Sequence, residues 1–202
     1  VPSGLQNAIF AIANLFVQSG INSFDAIMVS GNAAAANAAN LIYNVTFAFY
    51  MACYSFMSQN WGAGNKERMK KCYFIALTYS FSAGLILGGS LFFFGRPFLS
   101  LFATESAVIA AGIHRIRIMG FSYAFSAFMD CAIAASRGIG KSIAPTFIVI
   151  MGSCVFRIIW IYTVFAYFHT IPSLYLLYIF SWGLTAIAET IYFKVSFKKV
   201  LA

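Results

Sequence analysis

Six long apolar stretches, joined by short segments that are basic at alternate turns, constrain this chain more than any other feature. Hydrophobic residues make up 61% of its 202 residues and charged residues only 9%. A water-soluble domain of this length needs more charge to cover its surface. The chain must therefore expose apolar surface to lipid, and the sequence predicts an all-α, polytopic membrane protein.

The apolar stretches have the length that membrane-spanning helices require. About 20 apolar residues cross the ~30 Å hydrocarbon core of a bilayer, and none of the stretches alternates as a strand would. Six such spans fill residues 1–202 as a single transmembrane lobe and leave no room for a soluble domain. The predicted helices cover residues 4–27, 33–61, 72–94, 105–136, 145–168 and 173–197.

The distribution of Lys and Arg predicts the orientation in the membrane. Nine of these residues follow the second, fourth and sixth spans, whereas Arg96, Arg115 and Arg117 fall on the other side. Cytoplasmic loops carry the excess of basic residues, so both termini are expected in the cytoplasm. The net charge of +8 is then a topological signal, and no nucleic-acid partner is expected. Because the chain opens without Met, we expect it to be a piece of a longer polypeptide.

Polar residues recur at helical spacing inside four of the predicted spans. At ~100° per residue, steps of three, four and seven keep them on one face of each helix. Two interpretations remain open: these side chains hydrogen-bond neighbouring helices, or together they line a shared hydrophilic pathway. The stripes comprise Asn7, Asn14, Gln18 and Asp25, then Asn37, Asn40 and Asn44, then Ser122, Ser126 and Asp130, and finally Ser181, Thr185 and Glu189.

Two carboxylates inside the spans are the strongest candidates for a site. Asp130 lies seven residues before Arg137, about 10 Å inside the cytoplasmic boundary, and Glu189 lies five residues before Lys194. Intramembrane carboxylates commonly mark ion or substrate pathways. The alternative for Asp130 is an ion pair with Arg157, the basic residue near a span centre. The alternative for Glu189 is a position at the interface or a pair with Lys194.

The sequence does not predict an enzyme. An intramembrane serine protease needs a serine nucleophile paired with a His deep in a partner helix, and His114 and His169 both fall near outer helix ends. The four cysteines lack the spacing of a metal site and three of them fall inside apolar spans, where free thiols pack as small hydrophobes. No catalytic residue, metal or cofactor is expected.

Several segments resemble the multidrug and toxic compound extrusion (MATE) family of cation-coupled efflux transporters. The similar segments occur in order along essentially the whole chain and at the family's spacing. They are Pro2–Asn7, the turn Phe56–Gly64 followed by Arg68, the turn Ser136–Pro145 with its RGxGxSxxP pattern, Arg157–Trp160, and Ser181–Trp182.

The resemblance implies a fold and a set of roles. The family has twelve helices in two six-helix lobes, and this chain resembles the C-terminal lobe of such an antiporter, with Na⁺ or H⁺ as the coupling ion. Asp130 stands where related sequences place an acidic residue, whereas better-known members place it one turn earlier, at Ser126. Some members carry a mid-helix Glu where this chain has Asn14 and Gln18. The predicted cation or substrate residues are Asp130, Glu189, Ser126, Asn14, Gln18, Asn44 and Arg157.

The resemblance also sets expectations for substrate, partners and location. An organic cation is expected to be exported by alternating access across the plasma (bacterial inner) membrane, with the missing N-terminal lobe as partner. As a hypothesis, two copies of an isolated lobe pair through its partly polar inner face. The alternatives are a flippase of lipid-linked precursors, which needs a more basic cavity, and a structural membrane subunit without transport.

Overall fold

The structure is a computed structural model that describes the backbone of residues 2–201 and the side chains of residues 4, 6 and 8–199. Within these residues the chain is helical throughout, apart from short turns, and it contains no strand. Seven helices follow one another: α1 (Pro2–Ile21), α2 (Ala26–Gly62), α3 (Lys66–Leu99), α4 (Ser106–Met119), α5 (Ser122–Gly138), α6 (Ile143–Phe168) and α7 (Ile171–Leu201).

The described helices confirm an all-α membrane protein. Helices α3, α6 and α7 are long and apolar enough to cross a bilayer, and α4 and α5 make a fourth span if the bent pair is one crossing. Helix α2 has 37 residues but carries many Asn and Tyr side chains, and the apolar part described for α1 is short, Ala8–Ile21. The structure thus shows three or four spans, and the count of six remains a prediction.

The turn between the first two spans lies earlier than the sequence predicted. Helix α1 ends at Ile21 and α2 begins at Ala26, so the expected break at residues 28–32, between the predicted helices 4–27 and 33–61, is wrong. The reason is an N-cap: the Asp25 carboxylate accepts a hydrogen bond of 2.7 Å from the backbone N–H of Met28, which satisfies a free donor of the first turn. Asp25 therefore starts α2 and does not belong to the stripe on α1.

The predicted fourth span, residues 105–136, is two helices that meet at an angle of 53°. Gly120 and Phe121 separate them, and a Cβ at Gly88 of α3 would collide with the carbonyl oxygen of Gly120. Glycine is a poor helix former in a helix interior, which favours a break at Gly120. Helix α3 also differs from expectation, because it continues through Pro97 to Leu99 after a local distortion at Phe94.

The helices pack through small residues. Helix α2 contacts α3, α4 and α5, α5 also contacts α7, and α1 lies against α6. At the crossing of α2 and α4, a Cβ built on Gly31 would lie 2.7 Å from the backbone nitrogen of Gly112. Such close approach is typical of membrane helices, where contact between backbones replaces the hydrophobic effect as the source of attraction.

The close contact between α2 and α4 predicts that a glycine-to-alanine substitution destabilises the protein at Gly31 but not at Gly89. Gly31→Ala forces α2 and α4 apart and should lower the free energy of unfolding by about 1–3 kcal/mol. Gly89→Ala is the matched control on α3, because nothing lies within 4 Å of its Cβ position. Thermal unfolding of both variants in detergent measures the difference, and an equal midpoint for the two would contradict the packing described.

The predicted orientation is testable with single cysteines at exposed positions. In intact cells a membrane-impermeant maleimide should label Arg96→Cys, whereas Lys70→Cys should react only after the cells are permeabilised. The four native cysteines give little background, because none of them is exposed. Labelling of Lys70→Cys in intact cells would reverse the orientation that the basic residues predict.

Candidate functional site

Arg157 lies near the middle of α6 and is only 3% exposed. The π-helical turns Ile150–Val155 and Ile161–Phe165 flank the segment that carries it, and π-helical turns are frequent at functional sites. Its Nε donates to Ser181 Oγ at 3.2 Å and its Nη1 donates to Asn14 Oδ1 at 3.3 Å. The guanidinium therefore joins α6 to α1 and α7.

Aromatic rings cover the same guanidinium. Its Cζ lies 4.7 Å from the centre of the Tyr178 ring and 5.5 Å from that of Phe10, within the range of cation–π attraction. We call Phe10, Asn14, Arg157, Tyr178 and Ser181 the Arg157 cluster. Every partner in this cluster is electrically neutral.

Arg115 on α4 occupies a similar environment. Its Nη1 donates to Asn32 Oδ1 at 2.6 Å, and the Tyr175 hydroxyl donates to the same oxygen at 3.2 Å. Its Cζ lies 5.8 Å from the ring centres of both Tyr175 and Tyr178. The Tyr178 ring is thus close to both arginines. The distribution of basic residues had assigned Arg115 to the outer side of the membrane. Its position inside the predicted span 105–136 already indicated that it contacts other helices.

The carboxylate of Glu189 on α7 is completely buried. Neither of its oxygens has a hydrogen-bond partner among the described residues. Its electrostatic neighbour is Arg137, and no hydrogen bond joins it to Lys194. In the part of the chain that it describes, the structure therefore supports neither alternative for Glu189, a position at the interface or a pair with Lys194.

Asp130 on α5 is half-buried. It lies close enough to interact electrostatically with Tyr43 and Tyr50 of α2. The groups that interact with Arg157 include Tyr178 and Cys154 and no carboxylate. The described side chains therefore show no ion pair between Asp130 and Arg157.

Arg137, which the sequence treated only as a topological charge, is a hydrogen-bonding centre at the end of α5. Its Nη1 donates to the Tyr50 hydroxyl at 2.8 Å, and its Nη2 donates to Gln6 Oε1 and, at 3.1 Å, to Thr146 Oγ1. These bonds connect α5 to α2, α1 and α6. In the sequence, a basic residue at a helix end looks the same whether it bonds to other helices or faces water in a loop. The hydrogen-bonding role of Arg137 was therefore not predicted.

The other predicted residues do not join these groups. Ser126 Oγ donates within its own helix to the Tyr123 carbonyl at 2.8 Å, and Gln18 Nε2 donates to Asn22 Oδ1 at 2.8 Å. Asn44 is exposed and makes no hydrogen bond within the described residues. The side chain of Asn7 lies outside the described residues. Of the seven candidates, the structure brings Asn14 and Arg157 into direct contact.

A cavity of about 430 Å³ lies between α5 and α7 and has an apolar lining that includes Phe125, Phe128 and Trp182. None of the seven candidates lines it. Among the described residues, no group of three His, Cys, Asp or Glu side chains is placed to bind a metal ion. The candidate polar side chains therefore lie outside this apolar cavity.

The bonds of Arg137 predict a structural role that is separable from charge alone. Arg137→Met should lower the free energy of unfolding by about 2–4 kcal/mol, because charged hydrogen bonds contribute ~1.5–3 kcal/mol each, and Tyr50→Phe by about 1 kcal/mol. Lys141→Met removes an exposed charge nearby and is the control, with a change near zero. Unfolding in detergent measures all three, and equal stability of the two Met variants would contradict the role.

Comparison with known proteins places this geometry in a family. A model of the MatE family matches residues 2–163. Among curated proteins, an FAD transporter of Shewanella oneidensis is 28% identical over 108 residues, which cover 54% of this chain and 24% of that protein. The probable multidrug resistance protein NorM of Thermotoga maritima is 22% identical over 156 residues, which cover 73% of this chain and 32% of NorM.

Solved structures show the same fold. A MOP-superfamily transporter from Pyrococcus furiosus, described as having a binding pocket of reverse polarity, superposes with a TM-score of 0.90 at 17% identity over 100% of this chain and 46% of that one. An outward-facing multidrug resistance MATE transporter gives 0.87 at 20% identity over 98% and 45%. The chain thus spans less than half of these transporters and a quarter to a third of the curated relatives. Because a model of the family matches four-fifths of its length, the chain, a multi-pass membrane protein, belongs to the MatE family of transporters, which are not enzymes.

Proposed function

We propose that this chain is the C-terminal lobe of a two-lobed antiporter that exports a small organic molecule in exchange for Na⁺ or H⁺. Family membership supports transport, and the superposition on less than half of each solved transporter supports one lobe. In this proposal, two lobes that rock against each other expose a central site to either side in turn. The proposed partner is an N-terminal lobe of the same transporter. In the alternative assembly, two copies of this lobe pair through its partly polar inner face.

The observation that carries cation coupling is the Glu189 carboxylate, buried on α7 with no hydrogen bond to either oxygen among the described residues. A carboxylate in that position is costly to keep in a membrane protein and is typical of ion and proton pathways. Asp130 supplies a second carboxylate on α5, which contacts α7. We assign Asp130 and Glu189 as the candidates that exchange the coupling ion.

The cargo is proposed to be a small organic molecule. One curated relative is named for multidrug resistance and another for FAD transport, so the relatives do not agree on the charge of their cargo. The family resemblance favours an organic cation. We also propose that the protein lies in the plasma (bacterial inner) membrane. Its termini are proposed to be cytoplasmic, because the basic residues are concentrated on that side.

Substitution of the two carboxylates tests the coupling. In the native protein, reconstituted in liposomes, Glu189→Gln or Asp130→Asn should reduce export driven by a Na⁺ or H⁺ gradient by about tenfold or more, because the neutral side chain no longer exchanges the ion. Substrate binding without a gradient should persist. Glu67→Gln, an exposed carboxylate, is the control and should transport normally.

The gradients are applied separately, so that dependence on one of them identifies the coupling ion. Unchanged dependence on both gradients in the two variants would remove these carboxylates from coupling. They would then be structural residues of the lobe.

A further inference from the structure

We propose that the Arg157 cluster, together with Arg115, forms a binding site for an aromatic organic anion, a planar ring that carries a phosphate or carboxylate. This inference rests on the proposed function and specifies its substrate. It reverses the charge that the family resemblance favours for the cargo.

The charge balance of the site is the first argument. Arg157 and Arg115 donate to the neutral oxygens of Asn14, Ser181 and Asn32. No carboxylate is hydrogen-bonded to either guanidinium among the described side chains. Burying a charge without an opposite charge is unfavourable, so the arrangement is more stable when an anion completes it.

Unused donors are the second argument. The Arg157 guanidinium uses two nitrogens in its hydrogen bonds, and its remaining terminal nitrogen has no partner among the described residues. The Nε of Arg115 is buried and also lacks a partner there. Guanidinium groups bind phosphate and carboxylate oxygens in pairs of parallel hydrogen bonds, which is the chemistry that these free donors offer.

The rings are the third argument. Tyr178 lies 4.7 Å from Arg157 Cζ and 5.8 Å from Arg115 Cζ, so the two charges are separated by no more than the sum of these distances. Tyr178 and Phe10 are partly exposed and offer ring faces beside the charges. A flat aromatic ligand stacks on such rings while its anionic group meets the guanidiniums.

The position of the cluster is the fourth argument. Arg157 lies near the middle of a 26-residue membrane-spanning helix, and secondary transporters bind substrate near the bilayer midplane. Asn14 is exposed on the surface of this lobe, so the cluster opens on one side. Asp130 and Glu189 interact with Tyr50 and Arg137 and not with Arg157, which leaves the positive charge of the cluster uncompensated.

Flavin mononucleotide and riboflavin make a matched pair of probes, because they share a ring system and differ by one phosphate. Titration of each flavin's fluorescence with the purified native protein gives the affinities. FMN should bind about tenfold or more tightly than riboflavin, as expected for one charged hydrogen-bonding pair. Arg157→Gln should reduce FMN binding to the level of riboflavin and leave riboflavin unchanged.

Two further variants separate charge from folding. Arg117→Gln removes an exposed charge from the helix of Arg115 and should preserve the preference for FMN. Arg157→Lys keeps the charge and should retain a preference for FMN over riboflavin, which serves as the test if Arg157→Gln does not fold.

Equal binding of the two flavins, or no binding of FMN, would overturn the proposal, as would tighter binding of the aromatic cation ethidium. If Arg157 only pairs with a carboxylate of a second lobe, FMN and riboflavin should bind with equal affinity. Transport is measured separately in liposomes. A protein that exports ethidium and does not bind FMN would refute the anion site but keep the proposed antiporter, whereas one that binds FMN and transports nothing would refute the antiporter alone.

Discussion

The contacts of the buried Arg157 guanidinium are the interactions on which the arrangement of α1, α6 and α7 depends. In a membrane-embedded bundle, water is not freely available to solvate a charge, so protein groups must do it. Here Asn14 of α1, Ser181 of α7 and the Tyr178 ring provide that solvation. The same contacts fix how α1, α6 and α7 lie relative to one another, and thus connect the stability of the lobe to the charge of its site.

Helix α7 relates the two kinds of charge in the lobe. Ser181 and Tyr178 contact Arg157. Glu189 lies eight residues after Ser181 on the same helix, about 12 Å from it at 1.5 Å per residue. In the proposed antiporter, ion exchange at Glu189 and substrate binding at Arg157 would bias the position of one rigid element. A shared element of this kind is the physical basis that coupling between two sites requires.

Much of the fold followed from hydropathy, because long apolar runs in lipid have few alternatives to helices. The family and the all-α class were predicted correctly on that basis and on the turn motifs. The break at Gly120 was missed, since it depends on contact with Gly88 of another helix. The early start of α2 was missed because Asp25 was assigned to the polar stripe of the first span. Only the local geometry shows that Asp25 is the N-cap of α2 and accepts a hydrogen bond from Met28.

The site was predicted less completely, for a related reason. Spacing identified Asn14 and Glu189 as residues on polar faces, and Arg157 was noted as the basic residue near a span centre. Spacing does not reveal which helix faces meet. Arg137 was assigned to a cytoplasmic link and Arg115 to the outer side, because the sequence of a basic residue is the same whether other helices or water surround it. Their hydrogen bonds depend on acceptors such as Asn32 and Thr146 on other helices.

The most direct test of the account is charge-selective labelling beside Arg157. Asn14→Cys places a thiol on the exposed side of the cluster, and its reaction rates with sulfonatoethyl and trimethylammonioethyl methanethiosulfonate are measured relative to those of a free thiol. We predict that the anionic reagent reacts several-fold faster and that a second substitution, Arg157→Gln, removes this preference. No reaction with either reagent, or faster reaction with the cationic one, would contradict a water-accessible, positively charged site on this face.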